Sequence, residues 1–181
     1  MAMAGVRTAT EQDGPAIAAI YAPYVSDTAI SFEETPPTAT EMSERVRATL
    51  STHPFLVFQE AGAVVAYAYA SRHRDRAAYR WSVDVAIYAA PRVHRHGIGR
   101  ALYSRLFEIL ERQGFHSAYA GITRPNEKSI GLHEAVGFQH VGTYDEVGFK
   151  LGRWWDVGWW RRPLCSGSPN GEPTPYAELG E

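Results

Sequence analysis

The sequence predicts an α/β (α+β) fold: a mixed central sheet of about seven strands flanked by helices. Three observations carry this. Strand-length apolar runs and amphipathic stretches follow one another in the order β-α-α-β-β-β-α-β-α-β-β. At 181 residues, 45% hydrophobic and 21% charged, the composition is that of a soluble globular domain with a substantial core. No internal repeat divides the chain, so one domain is expected.

Each element has its own signal. Gly5–Thr8 is a short apolar opening strand. Thr10 precedes "EQDGPAIAAIYAPY", acidic at its start and apolar at Ile17, Ile20 and Tyr21, which predicts an N-capped helix ending near Pro23. "SDTAISFEETPPT" is a loop punctuated by Pro36-Pro37, and a second helix runs from about Glu41 to Thr52. "FLVFQEAGAVVAYAYASR" is a hairpin turning at Ala61-Gly62. "AYRWSVDVAIYAA" is a long strand in which Trp81, Val83, Val85 and Ile87 alternate with polar or small residues. The next helix has Leu102, Leu106, Ile109 and Leu110 on its apolar face. "SAYAGIT" is a buried strand, and "PNEKSIGLHEAVGF" a short helix with Pro at its start and Gly137 at its end. "HVGTYDEVGFK" and "RWWDVGWWRR" are the closing strands. The tail from 165 to 181 is rich in Gly, Pro and Ser and is expected to be disordered.

Composition also excludes. A net charge of -2 argues against a dedicated nucleic-acid binder. No apolar run approaches a membrane span, and "MAMAGVRTATEQDG" lacks a signal peptide's apolar core, so the expected address is cytoplasmic. One cysteine, Cys165, excludes an internal disulfide and a multi-cysteine metal site. His73, His94, His96 and His116 lack metal-ligand spacing, and no metal site is expected.

The chemistry-bearing signal is "PRVHRHGIGRALYSRLFEIL". The first N–H groups of a helix lack intrahelical partners and lie at its positive end. Gly97 and Gly99 remove Cβ atoms near the backbone, while Arg95, His96 and Arg100 add donors. Two readings stand on spacing alone: a seat for a pyrophosphate, or a flexible strand-to-helix turn.

At this point the residues carry a resemblance. "VHRHGIGRALYSRLFEIL" after a strand resembles the acetyl-CoA loop of the GNAT-type N-acetyltransferases, and "PNEKSIGLHEAVGF" their second signature. "FEETPPT", "AYRWSVDVAIY", "LHEAVGF" and "GFKLGRWWDVGWW" are similar to the phosphinothricin and methionine-sulfoximine acetyltransferase branch. The resemblance covers about Val6 to Leu164. It implies a GNAT fold over residues 5–164, with acetyl-CoA as co-substrate. Backbone amides from Arg95 through His96, Gly97, Ile98 and Gly99 to Arg100 would hold the pyrophosphate. The strand residues Ile87, Tyr88 and Ala89 would pair with the pantetheine amides, and Asn126 would bond further along the arm. The family's Gln or Arg before the loop is His94 here.

Amine acetylation needs a proton acceptor and a stabilised oxyanion. Asp84 interrupts an apolar strand, so burial should raise its pKa and suit it to take a proton; the other reading pairs it with Arg74 or Arg80. The branch has Glu as proposed base at this position. His133 follows Asn126 by seven residues on a cofactor-flanking helix, and is expected in an acid/base or substrate-positioning role. Phe32, Glu33 and Glu34 sit in a loop that could close over the acceptor. Arg74 and Tyr79 are candidates to grip a carboxylate. Lys150, Trp154 and Asp156 match the branch's closing motif. A small amine or amino-acid substrate is thus expected. So is a homodimer, with the apolar surface placed on "DVGWWRR". Other acceptors (a polyamine, an antibiotic, a peptide N-terminus) and a non-catalytic acyl-CoA sensor stay open.

Overall fold

Alternation along two neighbouring strands explains how the sheet is coated. In the computed structural model, which describes residues 4–91, 93 and 97–180, β3 (Ala63–Arg72) pairs antiparallel with β4 (Ser82–Ala89). Ala66, Ala68 and Ala70 lie opposite Ala89, Ile87 and Val85, and these small side chains let α3 (Ile98–Gln113) close onto that face. Leu102, Leu106, Ile109 and Leu110 of α3 are all fully buried there, as the helical spacing predicts. The opposite face carries Tyr67 and Tyr69 opposite Tyr88 and Ala86. It is covered by α1 (Gly14–Ser26) and α2 (Ala39–Leu50), with Tyr21 and Tyr24 of α1 set edge-on to Tyr88 at 4.9 and 5.1 Å.

The remaining strands are β1 (Gly5–Thr8), β2 (Phe55–Glu60), β5 (Ser117–Thr123), β6 (Gln139–Lys150) and β7 (Arg153–Pro163); α4 (Glu127–Ala135) lies between β5 and β6. The sheet order is β1-β2-β3-β4-β5-β7-β6, antiparallel throughout except for β4 with β5. A parallel pair needs a crossover, and α3 supplies it.

Three local expectations shift. Helix α1 continues through Pro23 to Ser26, because Ile17, Ile20, Tyr21 and Val25 bury one continuous stripe and that packing outweighs the lost N–H. Helix α2 begins at Ala39, where Thr38 and Glu41 form a capping box. The long strand expected from Ala78 starts at Ser82; Ala77–Tyr79 make a 3-10 turn instead.

The tail also differs from the compositional expectation of disorder. Tyr176 is buried, its hydroxyl 2.7 Å from Thr8 Oγ1, and its N–H donates to the Thr52 carbonyl. The Gln113 amide donates to the carbonyls of Thr52 and Thr174, and the Trp81 indole donates to that of Gly171. Gly, Pro and Ser keep the segment irregular without denying it partners.

Candidate active site

Three rungs join β4 to β5, ending at Asp84–Tyr119. Beyond them β4 stays paired with β3, and β5 with β7, while the two central strands part. The cleft so opened is lined by Val85–Tyr88 on one side and Ala120–Thr123 on the other. Ile30 reaches it from the α1–α2 loop, and Asn126, Ser129 and His133 from α4. Among the described residues, peptide groups on the parted edge of β4 have no ladder partner, so an extended, amide-bearing ligand can pair there. Of the residues expected to hold a cofactor, Ile87, Tyr88 and Asn126 therefore come together. Ala89 continues the same strand, its carbonyl accepting from the Tyr24 hydroxyl at 2.7 Å. Asn126 Oδ1 caps α4 by accepting from the Ser129 N–H.

Helix α3 starts at one end of this strand system. Its N-cap Gly97 adopts a left-handed φ of +73°, and among the described residues no side chain caps the first turn. That leaves N–H groups at the positive end of a 16-residue helix for an anion. Gly99 plays another part than expected. A Cβ there would lie 2.8 Å from Leu132 Cδ2 and 3.5 Å from Ile87 Cδ1, so this glycine lets α3 approach α4 and β4. Ile98 is buried and offers backbone alone, whereas Arg100 is exposed. Arg95 and His96 lie outside the described residues.

Asp84 lies on the α1/α2 side of the sheet, at the last rung before the strands separate. Burial pushes its pKa up, opposed by a hydrogen bond from His73 and by the charges of His73 and Arg74. Its main partner is His73, with Nδ1 2.6 Å from Oδ1; Arg74 stands 4.0 Å from Oδ2. Arg80 pairs instead with Glu172 of the tail. Arg74 also donates to the His73 carbonyl and lies over the Trp159 ring. Tyr79 is exposed beside His73, so Arg74, Tyr79 and Asp84 share one corner.

His133 is on the α3/α4 side, buried against Tyr103 and Phe138. Nδ1 lies 2.7 Å from the Ser129 carbonyl and so bears the proton, while Nε2 accepts from the Tyr103 hydroxyl at 2.7 Å. Burial pushes its pKa down. His133, expected from sequence in an acid/base or substrate-positioning role, lines the cleft wall with both nitrogens engaged.

Glu33 is likewise committed. Its carboxylate accepts two bonds from Arg45 (2.7 and 3.0 Å) and one from the Tyr21 hydroxyl, which hold its pKa down and staple the loop to α2. Phe32 rests on Gly148, where a Cβ would sit 2.2 Å from its ring. Lys150 Nζ donates to the carbonyls of Val25, Ser31 and Glu33 at 2.6–2.7 Å and fastens the same loop from β6. Asp156 accepts from the Glu146 N–H at a break in the β6–β7 ladder, and Trp154 is exposed. Sequence reading passed over His73, Tyr119 and Trp159, which pack together beside Asp84. Among the described residues no group of three or more His, Cys, Asp or Glu side chains gathers to hold a metal, and no helix is long and apolar enough to cross a membrane.

A mixed sheet parted at its centre, with an uncapped helix start on one side and a desolvated carboxylate on the other, defines a class. An acetyltransferase (GNAT) domain matches residues 6–159, and the chain belongs to the GNAT acetyltransferase family. Within it, the chain is 41% identical to a phosphinothricin N-acetyltransferase of Streptomyces coelicolor over 88% of its own length and 95% of the relative's. It is 35% identical to an L-methionine sulfoximine/L-methionine sulfone acetyltransferase of Salmonella typhimurium, covering 84% and 90%. The crystal structure of a phosphinothricin acetyltransferase from Sinorhizobium meliloti in complex with AcCoA superposes with a TM-score of 0.89 at 37% identity, covering 98% and 99%.

Proposed function

We propose that this chain transfers the acetyl group of acetyl-CoA directly to the α-amine of a small amino-acid analogue: phosphinothricin, methionine sulfoximine or methionine sulfone. The observation that carries the reading is a desolvated carboxylate, Asp84, at the rung where the sheet opens, with Arg74 beside it. Acetyl-CoA supplies the activated thioester. The N-terminal turn of α3 would hold its pyrophosphate, and the parted edge of β4 from Val85 to Tyr88 its amides; both fit such a group. Arg74, exposed and with N–H groups to spare, binds the acceptor's carboxylate. Asp84 takes one ammonium proton directly or through water, freeing the nitrogen lone pair to form the C–N bond. As the C–S bond breaks, CoA leaves as the thiolate and takes up the second proton that the nitrogen gives off. N–H groups on the β4 edge stabilise the oxyanion. The reaction belongs in the cytoplasm, the compartment that supplies acetyl-CoA.

We also infer that two copies pair. Edge strand β6 and its hairpin expose Val141, Tyr144, Val147, Phe149, Leu151 and Trp154. This moves the apolar surface off "DVGWWRR", since Trp160 is buried and Trp159 covers Gly121.

The test is thiol release from acetyl-CoA over those three acceptors, a polyamine, an antibiotic amine and a peptide, repeated with Asp84→Asn. The expected result is turnover on the amino-acid analogues that falls at least about a hundredfold in the variant. Turnover confined to another amine would overturn the acceptor. Acetyl-CoA binding without turnover on any amine would favour a sensor.

A further inference from the structure

The β3–β4 register sets Ser71 opposite Asp84 on the α1/α2 face. Two residues on, past the strand end, His73 returns to that face and closes a 2.6 Å hydrogen bond to Asp84 Oδ1. Its ring stacks on Tyr119 with centroids 4.5 Å apart and planes 18° apart, and meets Tyr79 and Trp159 edge-on, each at 6.0 Å. Its side chain is 12% exposed, against 30% for Asp84. Elements on four sides thus fix one imidazole orientation. A carboxylate facing Nδ1 selects the tautomer protonated there. Among the described residues, none hydrogen-bonds Nε2 or Asp84 Oδ2.

We propose that His73 is a positioning residue for Asp84: the two form a dyad in which Nδ1–H holds Oδ1 and leaves Oδ2 for the acceptor's ammonium or a bridging water. The inference rests on the acetyltransferase reading above. The proton passes from nitrogen to Oδ2, while Nδ1–H stays in place. The ionisable groups facing His73 are Asp84 from β4, Tyr79 and Arg74 from the β3–β4 connection, and Tyr119 from β5; Arg161 of β7 lies opposite Tyr119 and is bonded to Ser117. Arg74, 4.0 Å away, supports the carboxylate's charge without a hydrogen bond to it.

Two variants separate this role from packing. His73→Phe keeps an aromatic ring for Tyr119 and removes the donor; His73→Asn keeps a donor near the Nδ1 position and loses the stack. With the donor gone, burial of the carboxylate is less opposed. The acid limb of the kcat–pH profile in His73→Phe is then expected to move up by about one unit. Below that limb kcat falls about tenfold, with KM for acetyl-CoA unchanged. His73→Asn should restore the limb at least halfway. An unmoved limb in a folded His73→Phe protein, or a His73→Asn no better than His73→Phe, overturns the dyad. Imidazole 15N NMR decides independently of turnover. A Nδ1-protonated His73 that loses this preference in Asp84→Ala, which removes the acceptor oxygen, supports the dyad, and an unchanged tautomer overturns it. If no acceptor is turned over, the functional reading fails while the NMR comparison still tests the pair.

Discussion

Lys150 shows how much one side chain can organise at the residue scale. Its ammonium carries three carbonyl bonds from residues that lie 117 to 125 positions earlier, and it is buried while doing so. Lys150→Met would bury a similar stem but strand those carbonyls, costing about 3 kcal/mol. Urea denaturation is expected to show that loss. Because the same bonds hold the loop bearing Ile30 and Phe32, KM for the acceptor should rise more than KM for acetyl-CoA. Glu33 and Asp84 illustrate the converse. Two carboxylates singled out for chemistry end with opposite pKa shifts, since Arg45 holds one down and burial raises the other. The rise at Asp84 follows from its apolar strand "WSVDVAIY", whereas the fall at Glu33 is not visible in "SFEET", where Arg45 does not appear.

Among the elements, helix α3 separates two glycines that look alike in "HGIGR". Gly97 needs its left-handed φ, and Gly97→Ala should cost about 1–2 kcal/mol through strain. Gly99 has ordinary helical geometry and tight neighbours. In Gly99→Ala, about 1 kcal/mol of improved helix propensity opposes displacement of the flexible Leu132 end. Thermal unfolding is therefore expected to show a destabilised Gly97→Ala and a nearly neutral Gly99→Ala. Calorimetric titration with acetyl-CoA should weaken most for Gly97→Ala, because the strain sits at the start of the turn proposed to hold the pyrophosphate. The periodicity of α3 and the Pro and Gly137 bounds of α4 were legible in sequence because their determinants lie within one or two turns. Pro23 misled for the same reason: a local rule ended α1, and sheet packing carried it three residues further.

The whole molecule adds two features. Removing residues after Leu164 would take away Tyr176 and the bonds to Thr8, Thr52, Gln113 and Trp81. Loss of a buried aromatic contact of about 3 kcal/mol corresponds to a Tm lower by about 6–12 °C for a chain of this size. A truncated protein melting with the full chain would contradict the docking of the tail. Light scattering after size exclusion should give the mass of two chains, and Phe149→Glu with Trp154→Glu the mass of one. A monomeric parent would discard the pairing. An exposed apolar edge strand on a monomer invites indiscriminate pairing, which a defined partner copy prevents.

By itself the sequence determined the strand and helix periods, the glycine-marked start of α3, the Pro and Gly bounds of α4 and the carboxylate set into an apolar strand. Each depends on side chains close together in the chain. Tertiary structure alone decided where β4 and β5 part, which partner each ionisable group meets, and which aromatics are buried. His73 meets Asp84 across a turn, Lys150 meets a loop from the other end of the chain, and His133 is locked between Ser129 and Tyr103. Charge and hydrogen-bond energies depend on distance in space and on exclusion of water, and both are set only when segments far apart in sequence pack together.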